Sequence, residues 1–336
     1  MKTKESIENM NQETKIQIIS CNKEPSISNG FVDVIGQSKV IQKLSFYIQS
    51  HCKETPCPTL LFSGSHGLGK TYIAQRVAKS LGRKYVEVNC SNIKTANDLF
   101  EKIFVGKVLG DRPVTLLLDE SHDLTDEVSN MLLSILNPNT SNINSVVHQG
   151  IKYVFDLSLL NVIFATTDAY MMFAPLRNRA TNIYFETYGE VDIIKMLKMY
   201  VGENIVIECD TTELANACRN RGRDTFLLAN NLKRFLNFKP KKNNILTERD
   251  WIGFKDLFEI YGLGLNAQEV KLLETIADYG PISASNLALR LMVNENNIKN
   301  EMEIRLRELG LIESTTRGRV ISTKGRNYFE EYMSAN

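Results

Sequence analysis

Residues 64 to 71 read Gly64-Ser65-His66-Gly67-Leu68-Gly69-Lys70-Thr71, a GxxxxGK[ST] run. Glycines at this spacing let backbone N–H groups wrap a phosphate, a helix that follows adds its positive end, and the lysine reaches the β and γ phosphates. Gly64, Gly67, Leu68 and Gly69 then cradle a nucleotide, Lys70 neutralises it, and the Thr71 hydroxyl ligates Mg²⁺. The apolar run Leu60-Leu61-Phe62 before the loop and the helical pattern after it supply the strand–loop–helix context the motif requires. A chance glycine turn is the bland reading.

A second apolar run, Val114 to Leu118, ends in Asp119-Glu120. Two carboxylates at the C-terminal end of a buried strand beside a phosphate loop suit a division of labour: Asp119 holds Mg²⁺ through water, and Glu120 orients or deprotonates the attacking water. Without the loop upstream the pair would read as a helix N-cap. A third run, Asn161 to Ala165, ends in Thr166-Thr167, where a hydroxyl on the adjacent strand is placed to sense the γ phosphate. Pro175-Leu176-Arg177-Asn178-Arg179 puts two guanidiniums in a loop leaving the sheet. An arginine offered from a neighbouring subunit neutralises charge at the transferred phosphoryl, and a surface salt bridge is the alternative.

These groups need elements to hold them. Strand patterns at Thr59 to Ser63, Tyr85 to Asn89, Thr115 to Asp119 and Asn161 to Thr166 alternate with amphipathic stretches at Val40 to His51, Lys70 to Leu81 and Glu127 to Leu136. That alternation predicts an α/β fold with a parallel sheet covered on both faces. After Tyr188 the pattern turns helical, at Glu190 to Val201, Thr212 to Arg219 and Asp224 to Asn237, and Lys239 to Asn244 reads as a linker. From Trp251, helices at 251–261, 267–279, 283–291 and 295–309 precede strands at 311–314 and 320–323, the order of a winged helix. The expected domains are a flexible tail over 1–28 that packs an edge strand at Ile16 to Ile19, an ATPase domain over 29–187, a helical lid over 188–250 and a winged helix over 251–336.

The chain has 336 residues, 43% hydrophobic and 24% charged, with 40 Lys+Arg against 39 Asp+Glu. Bulk disorder is excluded, and no apolar run approaches the roughly 18 residues of a membrane span. The near-neutral balance means that any nucleic-acid contact must be local. Residues 315 to 326 (TTRGRVISTKGR) supply such a locus: Arg317, Arg319, Lys324 and Arg326 without an acid, suited to phosphates rather than base edges. A solvated turn is the bland reading, and Trp251 with Phe254 and Phe258 reads as core. Scattered cysteines without zinc spacing and the lack of an apolar leader point to the cytoplasm.

In this order the motifs resemble the AAA+ ATPases and, within them, the RuvB family, over about Phe31 to Phe329. The resemblance rests on Val34-Ile35-Gly36-Gln37, GSHGLGKT, Leu117-Leu118-Asp119-Glu120-Ser121-His122, Ala165-Thr166-Thr167 and Ala174-Pro175-Leu176-Arg177-Asn178-Arg179. Gly262-Leu263-Gly264-Leu265, Leu309-Gly310-Leu311-Ile312 and Thr315-Thr316-Arg317-Gly318-Arg319-Val320 extend it into the winged helix.

The resemblance implies an AAA+ P-loop NTPase that uses ATP and Mg²⁺ to drive branch migration of four-way-junction or duplex DNA as a ring, usually a hexamer. It makes Thr166 or Thr167 the sensor 1 position, Arg179 the arginine finger and Arg223 the sensor 2 arginine, with Arg221 as the fallback, and it lines the adenine pocket with Val34, Ile35 and Tyr188. The sequence departs from the family at His66, in place of a proline, and at Ala180, in place of an aromatic. Asn137 to Lys152 takes the place of the hairpin that docks on RuvA, the junction-recognition partner, without that hairpin's Gly-rich, Arg-containing wording. An AAA+ loader that places a replication protein on DNA is the rival reading, and a non-catalytic ATP-binding regulator the third.

Overall fold

The computed structural model describes residues 30–108, 113–238 and 244–335. The edge strand expected at Ile16 to Ile19 and most of the expected linker lie outside them. The chain divides into two compact units, one ending at Tyr188 and the other beginning at Gly189.

The first unit is built on a five-stranded parallel sheet in the order β2-β3-β6-β1-β7. Its strands are β1 (Leu60–Ser63), β2 (Lys84–Asn89), β3 (Val114–Asp119), β6 (Leu160–Thr166) and β7 (Thr181–Tyr184). The central strands are apolar because both faces are covered. Every residue of β6 is buried, and so is every residue of β3 before Asp119. On one face Leu116, Leu118, Val162 and Phe164 join Val128 and Leu132 of the helix Asp126–Ile135 and the aromatic pair Phe100 and Phe104. β3 pairs with β6 and β6 with β1, and Ser63 stands beside Thr166. The C-terminal ends of β1, β3 and β6 are therefore neighbours, where open α/β sheets bind their ligands.

β4 (Ile143–His148) and β5 (Ile151–Asp156) form a separate antiparallel hairpin. Gln149 and Gly150 at its tip both have positive φ, 49° and 79°, as a two-residue turn matched to the strand twist requires. The hairpin is anchored inward by Phe155 and by His148, which stacks on Phe100 at 4.4 Å. Ile143 and Val147 face outward, about half or more exposed, and Ile151, paired with His148 at the tip, is also half-exposed.

The second unit carries the helices Glu190–Val201, Thr211–Ala217 and Gly222–Phe238, followed by Glu248–Phe258. The sequence places this last helix with the winged helix, but its side chains pack on the lid. The Trp251 indole N–H donates to Glu213 at 2.8 Å, and the Phe254 ring meets Phe235 of Gly222–Phe238 at 5.5 Å. A buried indole needs an acceptor, and Glu213 supplies it. Trp251 and Phe254 are core, as expected, whereas Phe258 is partly exposed.

The winged helix follows: Ala267–Tyr279, Ala284–Leu291, a helical run from Glu295 to Glu308 with a π-helical middle at Ile298–Met302, and the hairpin Ile312–Thr315 with Gly318–Ile321. A final helix, Thr323–Ala335, closes the chain. No helix among the described residues is long and apolar enough to cross a membrane.

Candidate nucleotide and DNA sites

The phosphate loop joins β1 to the helix Lys70–Ser80. Gly64 and Gly69 hold φ values of 145° and 89°, which side-chain-bearing residues rarely adopt. At Gly64 space excludes a side chain as well, since a Cβ would lie 2.6 Å from the Phe185 carbonyl, and at Gly69 a Cβ would crowd the Tyr188 hydroxyl at 3.1 Å. The Tyr188 O–H donates to the Leu68 carbonyl at 2.9 Å, so this buried tyrosine braces the loop from beneath.

Lys70 is buried and curled onto its own loop, its Nζ donating to the Gly64 and Ser65 carbonyls at 2.7 and 2.9 Å. Burial pushes the ammonium below the ordinary lysine range, while Glu120 and Asp119 pull the other way. Such an ammonium, poised among carbonyls and carboxylates, gains strongly from an incoming polyphosphate. Thr71, on the first turn, is half-buried. The donor set therefore fits a nucleotide with a hard cation: a glycine-rich loop, one buried ammonium, a hydroxyl and two strand-end carboxylates.

Asp119 closes β3, and its Oδ1 accepts the Glu120 N–H at 3.0 Å. Glu120 is left-handed, with φ 51° and ψ 49°, a conformation that turns its carboxylate off the strand line. Two imidazoles flank it: Nδ1 of His66 lies 3.7 Å from Oε1, and Nδ1 of His122 lies 3.4 Å from Oε2. His122 Nδ1 is also 2.9 Å from Thr166 Oγ1, which accepts the Asp168 N–H at 3.0 Å. Thr166 is wholly buried, whereas Thr167 is half-buried. Sequence reasoning misses both imidazoles as site residues: His66 stands out only as a departure and His122 only inside a motif, because the β3–β6 register that brings His122 to Thr166 is not written in local spacing.

Val34 and Ile35, both half-buried, lie on the segment before the helix Ser38–Gln49. Gln37 ties that segment to the Glu186 carbonyl at 2.6 Å, close in sequence to Tyr188, so the three residues expected around adenine share one neighbourhood. Arg177 is used internally, donating to the Ala169 carbonyl at 3.0 Å with its guanidinium over the Tyr170 ring. Arg179 is exposed and donates to the Leu133 carbonyl at 2.6 Å. In the second unit Arg223 is exposed on the first turn of Gly222–Phe238, while Arg221 is ion-paired with Glu308 at 2.5 Å.

The structure corrects the basic cluster of the wing. Arg317 is exposed in the hairpin turn, and Lys324 and Arg326 are exposed on the first turns of the final helix. Arg319 is instead spent internally. Its Nε and a terminal nitrogen donate to the two carboxylate oxygens of Glu303, itself only 2% exposed, at 2.9 and 3.0 Å. A buried carboxylate requires such a partner, and the sequence around residue 319 holds no sign of an acid so far upstream.

Two family models match the sequence, one described as the Holliday junction DNA helicase RuvB P-loop domain over residues 28–184 and one as the RuvB C-terminal winged helix domain over 262–330. The Holliday junction branch migration complex subunit RuvB of Levilactobacillus brevis is 29% identical over 319 residues, 90% of each chain. Its counterpart from Campylobacter curvus is 28% identical over 330 residues, 94% of each. Among solved structures, the RuvB Holliday junction branch migration motor of Thermotoga maritima superposes with a TM-score of 0.72 at 22% identity, covering 91% of this chain and 98% of that one.

Proposed function

The chain belongs to the RuvB family of AAA+ ATPases, and from that premise we propose that it is an ATP-driven motor for branch migration of Holliday junctions. One observation supports this above the rest: Lys70, Asp119, Glu120 and Thr166 gather at the C-terminal ends of β1, β3 and β6, in a chain whose other unit ends in a winged helix. A loader would share the ATPase residues, but the relatives named for branch migration match almost end to end, through the winged helix.

In this reading Lys70 exchanges the Gly64 and Ser65 carbonyls for the β and γ phosphates. Thr71 and Asp119 would hold Mg²⁺, which would offset phosphate charge. Glu120 accepts the proton of the attacking water, and Thr166 or Thr167 occupies the sensor 1 position. Arg179, exposed on its own protomer, serves a neighbour in a ring, usually a hexamer, and Arg223 is the sensing arginine of the lid. Val34, Ile35 and Tyr188 lie along the adenine pocket. Arg317, Lys324 and Arg326 track DNA phosphates irrespective of sequence. The outward face of the β4–β5 hairpin, with Ile143 and Val147, is the surface for a RuvA-type partner, and the setting is cytoplasmic.

ATP turnover measured with and without a synthetic four-way junction tests the ATPase part. Wild type is expected to turn over, Lys70→Ala to lose nucleotide binding, and Glu120→Gln to bind ATP and stall. Turnover by Glu120→Gln equal to wild type would remove Glu120 from the reaction.

A further inference from the structure

We propose that His122 is a positioning residue that ties the catalytic carboxylate of Glu120 to Thr166, and that Thr166 acts on the reaction through this imidazole rather than by touching nucleotide. The inference rests on the ATPase reading for its consequence but on hydrogen-bond accounting for its substance. Thr166 is fully buried at the end of β6, so its hydroxyl is closed off from an incoming phosphate. The ring of His122 lies against it and is itself partly exposed, and its Nδ1 faces two oxygens, Thr166 Oγ1 at 2.9 Å and Glu120 Oε2 at 3.4 Å.

A carboxylate oxygen only accepts, and Oε2 is buried with no hydrogen-bond partner among the described residues. If Nδ1 carried a lone pair, that oxygen would face it at short range without compensation. If Nδ1 carries the proton, its N–H donates to Thr166 Oγ1, which accepts from Asp168 N–H as well and so fills its two acceptor places, and the same N–H sets its positive end 3.4 Å from Oε2. The neighbouring turn is fixed to the same strand by Ser121, whose hydroxyl donates to the Ala165 carbonyl at 3.1 Å. Glu120 is thus held by its left-handed backbone on one side and by a strand-anchored imidazole on the other. Loss of the imidazole frees the carboxylate from its water-orienting pose without touching the phosphate loop.

The tautomer is read on nucleotide-free protein by long-range ¹⁵N NMR of histidine-labelled chain. The sequence has four histidines, so His122 is assigned by its absence from a His122→Ala spectrum. A proton on Nδ1 is expected, and a proton on Nε2 with bare Nδ1 overturns the link whether or not the chain proves to be a motor.

ATP turnover then tests the consequence. His122→Ala should keep ADP affinity yet lose about tenfold or more of turnover, the scale of one hydrogen bond to a charged group. His122→Asn, whose amide N–H occupies the Nδ1 place, should restore most of it. Thr166→Val should add little in the His122→Ala background, because both changes break one link. Wild-type turnover in His122→Ala, or losses that multiply in the double variant, would contradict the proposal. Absence of turnover in wild type itself would instead contradict the ATPase reading and leave the tautomer to decide.

Discussion

The guanidinium of Arg319 grips both carboxylate oxygens of Glu303, at 2.9 and 3.0 Å, and so fastens the wing hairpin to the helix Glu303–Glu308 that it flanks. Glu303 also takes Arg307 at 2.9 Å, and the Arg319 backbone pairs with Ile282 in both directions. One residue thus ties three segments of the winged helix together. Removing Arg319 leaves the buried Glu303 with Arg307 as its remaining partner, so Arg319→Ala should lower stability by about 2 kcal/mol, the scale of a hydrogen bond to a charged group. Chemical denaturation of the full chain checks this, and a change under about 0.5 kcal/mol would place Arg319 among ordinary surface residues.

Arg317, Lys324 and Arg326 behave oppositely. They are exposed, so the triple alanine variant should keep its stability while binding DNA more weakly. For each DNA phosphate that the variant no longer neutralises, the slope of log affinity against log salt should fall in magnitude by about 1. A salt titration of junction binding with an unchanged slope would refute the DNA role of these residues.

Arg179→Ala should retain nucleotide binding and lose turnover by a factor on the order of 10³ or more, as an arginine finger does. Because Arg179 precedes the start of β7, at the sheet end opposite the phosphate loop that follows β1, and its guanidinium sits on the Leu133 carbonyl, the loss should depend on assembly. Turnover equal to wild type under conditions where the protein assembles would end its assignment.

Tyr188→Phe keeps the ring beneath the loop and deletes the hydroxyl that donates to Leu68. One hydrogen bond at that place contributes about 1 kcal/mol, so nucleotide affinity should fall about fivefold. Equilibrium titration with a fluorescent nucleotide measures it, and unaltered affinity would show that the loop holds its shape without the brace.

Most of the sheet and the phosphate site are legible in the sequence because continuous apolar runs and a fixed motif announce buried parallel strands and a phosphate loop. β3 and β6 match their expected spans to within a residue. β7 leaves little signal since Ile183 is its only buried residue, as befits an edge strand. The π-helical segment Leu99–Val108 is equally silent. It buries Leu99, Phe100, Ile103, Phe104 and Val108, a spacing wider than the ordinary helical period. The β4–β5 hairpin hides behind departures from family wording, although Gln149-Gly150 forms a sound turn. What stays illegible in the site are long-range partners: His122 with Thr166, Arg319 with Glu303 and Tyr188 with Leu68, none of which follows from local spacing.

The central claim is met most directly by ATP-dependent dissociation of a synthetic four-way junction, run alone and with a RuvA-type protein, with Glu120→Gln as the control. Dissociation by wild type that requires ATP and disappears in Glu120→Gln is the expected result. ATP hydrolysis with the junction left intact in both arms would contradict a branch-migration motor.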